Sequence, residues 1–181
     1  MATFDITILG SSGIDVYISE RVEIKRPKLV NIGSHISIDS GFYMTTGAQL
    51  GDYIHIGPNV SVIGGPTGML TMGNFTNIAV GSRMICGTDQ FLGEGFSFPV
   101  LPEKYRDTVI ISPIHIQNFA GIGANVTIMP GVTIAEGSVI GANSLVTKST
   151  EPWTIYYGSP AKPIKARPSE KMLALAKELG Y

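Results

Sequence analysis

Aliphatic residues recur along this chain at a spacing of six. Ile32, Ile38, Met44, Leu50, Ile56 and Val62 stand six apart, and Ile110, Ile116, Ile122, Ile128, Ile134, Ile140 and Val146 repeat the pattern. A second apolar or small residue lies two positions before most of them. In the first run these are Val30, Ile36, Phe42, Ala48, Ile54 and Val60; in the second, Ile114, Ala120, Val126, Val132, Ser138 and Ser144. A spacing of six fits neither a helical face, with its period of about 3.6, nor an alternating strand, with its period of about 2. It fits a short strand plus a turn, repeated, so the pattern predicts a β-solenoid with stacked inward aliphatics. The ladder starts weakly at Ile18 and Ile24 and shifts by two residues around Arg26-Pro27-Lys28. Gly64-Gly65-Pro66-Thr67-Gly68 displaces it again before Met72, Ile78 and Met84 continue. This makes 18 rungs, or about six coils if three strands close each triangular turn.

Two stretches depart from the ladder. Cys86 to Val109 is a 24-residue interruption carrying Phe91, Phe96, Phe98, Pro99, Pro102 and Tyr105. A long aromatic loop inside a repeat protein is a place where function concentrates. Beyond the irregular segment Trp153 to Pro163, Pro168-Ser169-Glu170 opens the apolar run Met172, Leu173, Leu175, Ala176 and Leu179, and Gly180 stops it. That pattern predicts a helix over 169–179. Phe4 to Leu9 reads as a short strand. Residues 1–167 thus form a β-helix domain with a short N-terminal segment, and residues 168–181 a C-terminal helix.

Composition agrees and narrows function. The 22 Gly and 11 Pro, with only 15% charged residues, suit an all-β repeat protein. A formal net charge of −1 gives no general attraction for nucleic acid. The single cysteine, Cys86, rules out an internal disulfide and a Cys/His zinc cluster. No apolar run approaches the roughly 20 residues of a membrane span, and the N-terminus lacks the pattern of a secretory signal. The expectation is a cytoplasmic protein. His55 and His115 each precede a rung by one residue and should project outward, whereas His35 lies midway, at a turn.

The ladder, the interrupting loop, and the segments Gly141-Ala142-Asn143-Ser144-Leu145-Val146-Thr147-Lys148 and Gly158-Ser159-Pro160-Ala161-Lys162-Pro163-Ile164-Lys165 together resemble the hexapeptide-repeat acyltransferases. The likeness is nearest to the maltose and galactoside O-acetyltransferases and the sugar acetyltransferases of surface-polysaccharide pathways. It implies a left-handed parallel β-helix, a homotrimer, and acetyl-CoA as co-substrate lying between neighbouring prisms, with no metal. By the same resemblance, Ala124, Ala142 and Thr147 admit the pantetheine arm. Lys148, Lys162, Lys165 and Arg167 meet its phosphates, as a near-neutral chain binding a charged coenzyme requires.

Acyl transfer needs a base at the acceptor. Where the maltose and galactoside enzymes carry a loop histidine, this chain reads Cys86-Gly87-Thr88-Asp89-Gln90-Phe91. Asp89 falls nearest the catalytic position. His55, acting from a neighbouring chain, is the second candidate base, with His115 ranked below it. Asn59 and Glu94 are the candidate acceptor contacts. A weaker base suits an amine better than a hydroxyl, which tilts the acceptor towards an amino sugar, and the resemblance implies a nucleotide-linked or surface-polysaccharide sugar acylated at an amine or hydroxyl. Two other readings stand beside this one: a zinc protein like γ-class carbonic anhydrase, and a non-catalytic β-helix scaffold.

Overall fold

The structure, a computed structural model, describes residues 3–181. Its solenoid strands form three parallel sheets that the chain visits in rotation as far as Leu145–Val146, from which it passes to face one without a further face-three strand. Face one holds Val16–Ile18, Ile36–Ile38, Ile54–Ile56, Thr76–Ile78, Gly121–Ile122, Val139–Ile140 and Thr154–Gly158. Face two holds Glu23–Ile24, Tyr43–Met44, Ser61–Ile63, Arg83–Ile85, Thr127–Ile128 and Leu145–Val146. Face three holds Val30–Ile32, Gly47–Leu50, Met69–Met72, Ile114–Ile116 and Thr133–Ile134. Consecutive strands lie on different faces, so the cross-section is a triangle and each coil pairs with the coils above and below. Face one stacks seven strands, one level beyond the expected six coils. The added strand, Thr154–Gly158, pairs with Val139–Ile140 and then turns back antiparallel as Ala161–Ala166.

Period two within each short strand explains the core. Ile54 and Ile56 are buried while His55 between them is exposed. The register sets rung upon rung, as in Ile38↔Ile56 and Ile56↔Ile78. Inward aliphatics therefore form one continuous column, and nothing chemical can be placed there.

One predicted rung is not in the column. Ile110 is 43% exposed. It sits in Val109–Ile111, which pairs antiparallel with Gly87–Asp89 to form the root of the interrupting loop. The solenoid resumes only at Ile114 and Ile116, both buried. The six residues between Ile110 and Ile116 arise from the length of the hairpin's exit. Phe4 to Leu9 also differs from expectation: Ile6–Ile8 is a single 3-10 turn. The Asp5 carboxylate accepts hydrogen bonds from the Thr7 amide and hydroxyl, a local bond that outcompetes strand pairing.

The edge between faces three and one carries a paired ladder. Ser34 N–H donates to Asp52 Oδ1 (2.6 Å), Asp52 N–H to Asn74 Oδ1 (2.8 Å), and Asn74 N–H to Asn118 Oδ1 (2.9 Å). The next residue on each coil, His35, Tyr53, Phe75 or Phe119, is left-handed, with φ between 57° and 61°. Trp153 extends the series with φ 49°. Such backbone costs about 1–2 kcal/mol per residue for a side chain of this kind. Continuous stacking offsets it: successive ring centroids lie 4.5, 5.0, 5.3 and 5.8 Å apart from His35 to Trp153. The C-terminal helix, Glu170–Glu178, closes on this edge. Tyr181 sets its ring edge against Tyr53 and Phe75, and its hydroxyl donates to Asp52 Oδ2 (2.8 Å). Among the described residues no helix is long and apolar enough to cross a membrane.

Candidate active site

Up to Val146, every departure from the six-residue spacing falls on one edge. The steps Ile24 to Ile32, Val62 to Met72, and Met84 to Ile116 all pass from face two to face three. The Gly-rich insertion and the long loop occupy this edge on adjacent coils, tied by Cys86 N–H donating to Ile63 O (2.6 Å). Between them lies a chamber of about 740 Å³. Gly64, Gly65 and Pro66 line it from one coil, Gly87, Thr88 and Asp89 from the outgoing strand, Pro99, Glu103 and Arg106 from the loop, and Val109 and Ile111 from the returning strand.

The loop is held by its own backbone. Beyond the root hairpin, Gln90 N–H donates to Thr108 O, and Phe96 N–H to Tyr105 O. Asp107 is 4% exposed; its two carboxylate oxygens accept from the Gly93 amide (3.1 Å) and the Thr108 amide (2.7 Å). Gly95 lies so close to the Arg106 backbone that a Cβ there would sit 2.5 Å from the Arg106 carbonyl carbon. Asp107 and Arg106 were not among the residues read from the sequence. The available signal was that two opposite charges directly precede the return strand.

The predicted base Asp89 lines the chamber, half-buried. Glu94 is exposed and outside it; the neighbouring acid in the lining is Glu103. His55 projects from face one, with Nε2 3.0 Å from Asp39 Oδ2. Face one is the side of the triangle opposite the chamber's edge, so one chain does not bring His55 to Asp89. Asn59 is exposed in a left-handed turn at the edge between faces one and two, also away from the chamber. His115 projects from face three, Nδ1 2.7 Å from the Thr71 hydroxyl. His35 holds Asp15 at 2.9 Å and stacks on Tyr53. The Cys86 thiol, at the loop root, is pushed up to about 11 by burial and so stays protonated.

The residues expected to meet the coenzyme are distributed over three edges. The register Ile122↔Ile140 sets Ala142 one coil above Ala124, at the edge between faces one and two. Ala124 is half-buried there and Ala142 exposed. Gly158 N–H donates to Ser144 Oγ (3.0 Å), which brings the terminal hairpin and its exposed Lys162 over the same edge. Thr147 and Lys148, both exposed, stack two coils above Ile85 and Cys86, in line with the loop root. Arg167 lies at the third edge. Its guanidinium donates to Phe119 O (2.9 Å) and Gly137 O (2.8 Å), and burial draws its pKa below the ordinary guanidinium value. That side chain ties the helix connection to the aromatic edge.

A chamber lined by Asp89, Glu103 and Arg106, with exposed Lys148 in line with the loop root, thus stands on one edge of a parallel β-helix. Residues 113–148 match the family described as bacterial transferase hexapeptide (six repeats). The dTDP-4-amino-4,6-dideoxy-D-glucose acyltransferase of Escherichia coli is 32% identical over 168 residues, covering 91% of this chain and 85% of that protein. AntD, an N-acyltransferase from Bacillus cereus solved with dTDP and 3-hydroxybutyryl-CoA, superposes with a TM-score of 0.90 at 31% identity, over 96% of this chain and 90% of that one. A chloramphenicol acetyltransferase of Morganella morganii is 48% identical, over 62% of this chain and 58% of its own. The chain belongs to the hexapeptide-repeat acyltransferases.

Proposed function

We propose that this enzyme transfers an acyl group from an acyl-CoA to the amine of a nucleotide-linked sugar. The observation that carries the reading is the chamber at the insertion edge, with Asp89 in its wall and no histidine in the loop. Two relatives that match nearly the whole chain support it, since one is named for a dTDP-amino sugar and the other was solved with dTDP and with dTDP-4-amino-4,6-dideoxyglucose. Aspartate variants of the second, to alanine and to asparagine, have also been solved. A neutral amine is a good nucleophile and needs only to lose a proton, a task within reach of a carboxylate, whereas a hydroxyl needs a stronger base. In the step, the amine nitrogen bonds to the thioester carbonyl carbon and the C–S bond breaks. Asp89 takes up the amine's proton, and the coenzyme thiolate leaves.

The donor runs along the edge that carries Ala124 and Ala142 towards Lys162, with Thr147 and Lys148 over the chamber. The enzyme works as a trimer, in which face one of a neighbouring copy, carrying His55 and Asp39, comes to the chamber. It draws on the cytoplasmic pool of acyl-CoA.

The test is free-thiol release with paired acceptors that differ only in amine against hydroxyl. The amine is acylated and the hydroxyl is not, and Asp89→Asn lowers kcat by about 10²- to 10⁴-fold, the usual worth of a general base. Full activity in both Asp89→Asn and His55→Ala would remove the base assignment. Preference for the hydroxyl acceptor would overturn the amine reading.

A further inference from the structure

We propose that Arg106 binds the diphosphate of the acceptor and makes the loop chamber selective for a zwitterionic substrate, amine at one end and phosphate at the other. This rests on the chamber being the acceptor site. Its wall contains three carboxylates, Asp89, Glu103 and Asp107, and Arg106 is the one cation among the described residues that line it. Asp107 is already committed, both oxygens holding backbone amides. Asp89 and Glu103 remain to meet a positive group, and Arg106 to meet a negative one. A neutral acceptor can hydrogen-bond to these groups but offsets neither charge.

Arg106 is also incompletely satisfied. Its Nε is buried and has no hydrogen-bond partner among the described residues. A buried donor without an acceptor is costly, and an oxygen supplied by a ligand removes the cost. The other cation of the Glu103–Tyr105 turn is engaged, Lys104 lying 4.7 Å over the Tyr105 ring. Arg106 is held by its backbone, whose N–H donates to Glu103 O at the end of the Glu103–Tyr105 turn and which packs on Gly95. A guanidinium on a fixed backbone presents the planar fork that grips phosphate through two parallel bonds, which a lysine cannot do.

Coenzyme A also carries a pyrophosphate, so the chemistry alone does not name the source. The residues assigned to the coenzyme bring cations of their own, Lys162 at the edge between faces one and two and Lys148 two coils above the loop root. The carboxylates beside Arg106 suit a basic amine, which the coenzyme lacks, since its adenine amino group and its amides are non-basic.

The experiment measures dTDP and coenzyme A binding by calorimetry for wild type, Arg106→Gln and Arg106→Lys. It also measures kcat/KM for an amino sugar with and without its nucleotide. We expect Arg106→Gln to weaken dTDP at least tenfold and coenzyme A less than twofold. The kcat/KM ratio of nucleotide-linked over nucleotide-free acceptor should fall by the same factor, with Arg106→Lys between. Unchanged dTDP affinity in Arg106→Gln, with wild type binding dTDP, overturns this inference and leaves the acceptor reading intact. Loss confined to coenzyme A, or equal loss for both acceptors, also overturns it. A wild type that binds no dTDP and acylates no nucleotide-linked amine overturns both.

Discussion

Phe75 shows how one residue can hold an unfavourable backbone. It is left-handed, stacks on Tyr53 and Phe119, and receives the edge of Tyr181. Phe75→Ala removes all three ring contacts and keeps the strained backbone, so it should cost about 2–4 kcal/mol. Phe75→Asn loses the same contacts but tolerates the left-handed turn, and should recover about 1 kcal/mol of that. Urea unfolding at fixed protein concentration measures both, and equal losses would show that strain plays no part. The Asp52–Tyr181 bond gives a pH signature. The Ser34 amide, and next the Tyr181 hydroxyl, hold the Asp52 carboxyl below its ordinary range. That stability is present above the ordinary carboxylate pKa and is lost as pH falls through the lowered one. Tyr181 is pushed up to about 12, first by its bond to Asp52. Its contribution is complete below the ordinary value of 10.0 and disappears as pH rises through about 12. The Tm difference between wild type and Tyr181→Phe should therefore hold from above the ordinary carboxylate range up to pH 10, close towards pH 12, and also narrow as pH falls through the lowered Asp52 value. Trp153, the chain's one tryptophan, lies in the same stack and reports the change by fluorescence.

At the scale of elements, the loop is a hairpin pinned from inside by a buried carboxylate. Asp107→Ala leaves the amides of Gly93 and Thr108 without their acceptors, at about 1–3 kcal/mol for each buried group that stays unpaired. Because the solenoid stacks without the loop, the loss should stay local. Limited proteolysis should cut Asp107→Ala within residues 90–106 while the solenoid's melting changes little. Asp107→Asn, which keeps one acceptor oxygen, should be cut more slowly. A global drop in Tm would mean that the loop is integral to the core. The existence of this loop was legible from its broken period and its aromatic and proline content. Its root was not, because Ile110 falls on the six-residue spacing while pairing antiparallel to Thr88. Spacing records distance along the chain, and an exposed hairpin strand of suitable length counts as a rung. Asp107 was hidden for a related reason: in sequence it is one more loop charge, and only the folded loop buries it. The C-terminal helix was legible from its stop signals and apolar spacing, but the edge it covers was not, since Tyr181 meets Asp52 across 129 residues.

For the whole molecule, the rotation of rungs among three faces turns a list of insertions into a place. Counting rungs in threes assigns the breaks after Ile24, Val62 and Met84 to a single edge, and that edge holds the chamber. This much was legible in the spacing of the rungs, because solenoid insertions gather on the face that does the work. The same count sets His55 on face one, opposite that edge. If His55 serves the reaction, it must do so in another copy's chamber, and composition alone carries no trace of that. The arrangement predicts complementation. Asp89→Asn chains keep His55, and His55→Ala chains keep Asp89; alone, each assembly is defective. Mixed one to one, unfolded and refolded together, half of the chambers carry the intact Asp89, and half of those face an intact His55. About a quarter of wild-type activity should return if closed assemblies form at random. Mixing the folded variants without subunit exchange should return none. If the co-refolded mixture stays at the level of its parents while native mass spectrometry shows mixed assemblies, the two groups do not act across chains. A double variant carrying both changes, co-refolded with wild type, calibrates the count, because one quarter of its chambers also stay intact whichever chain supplies the histidine only if two chains share each site; a one-chain site would keep half.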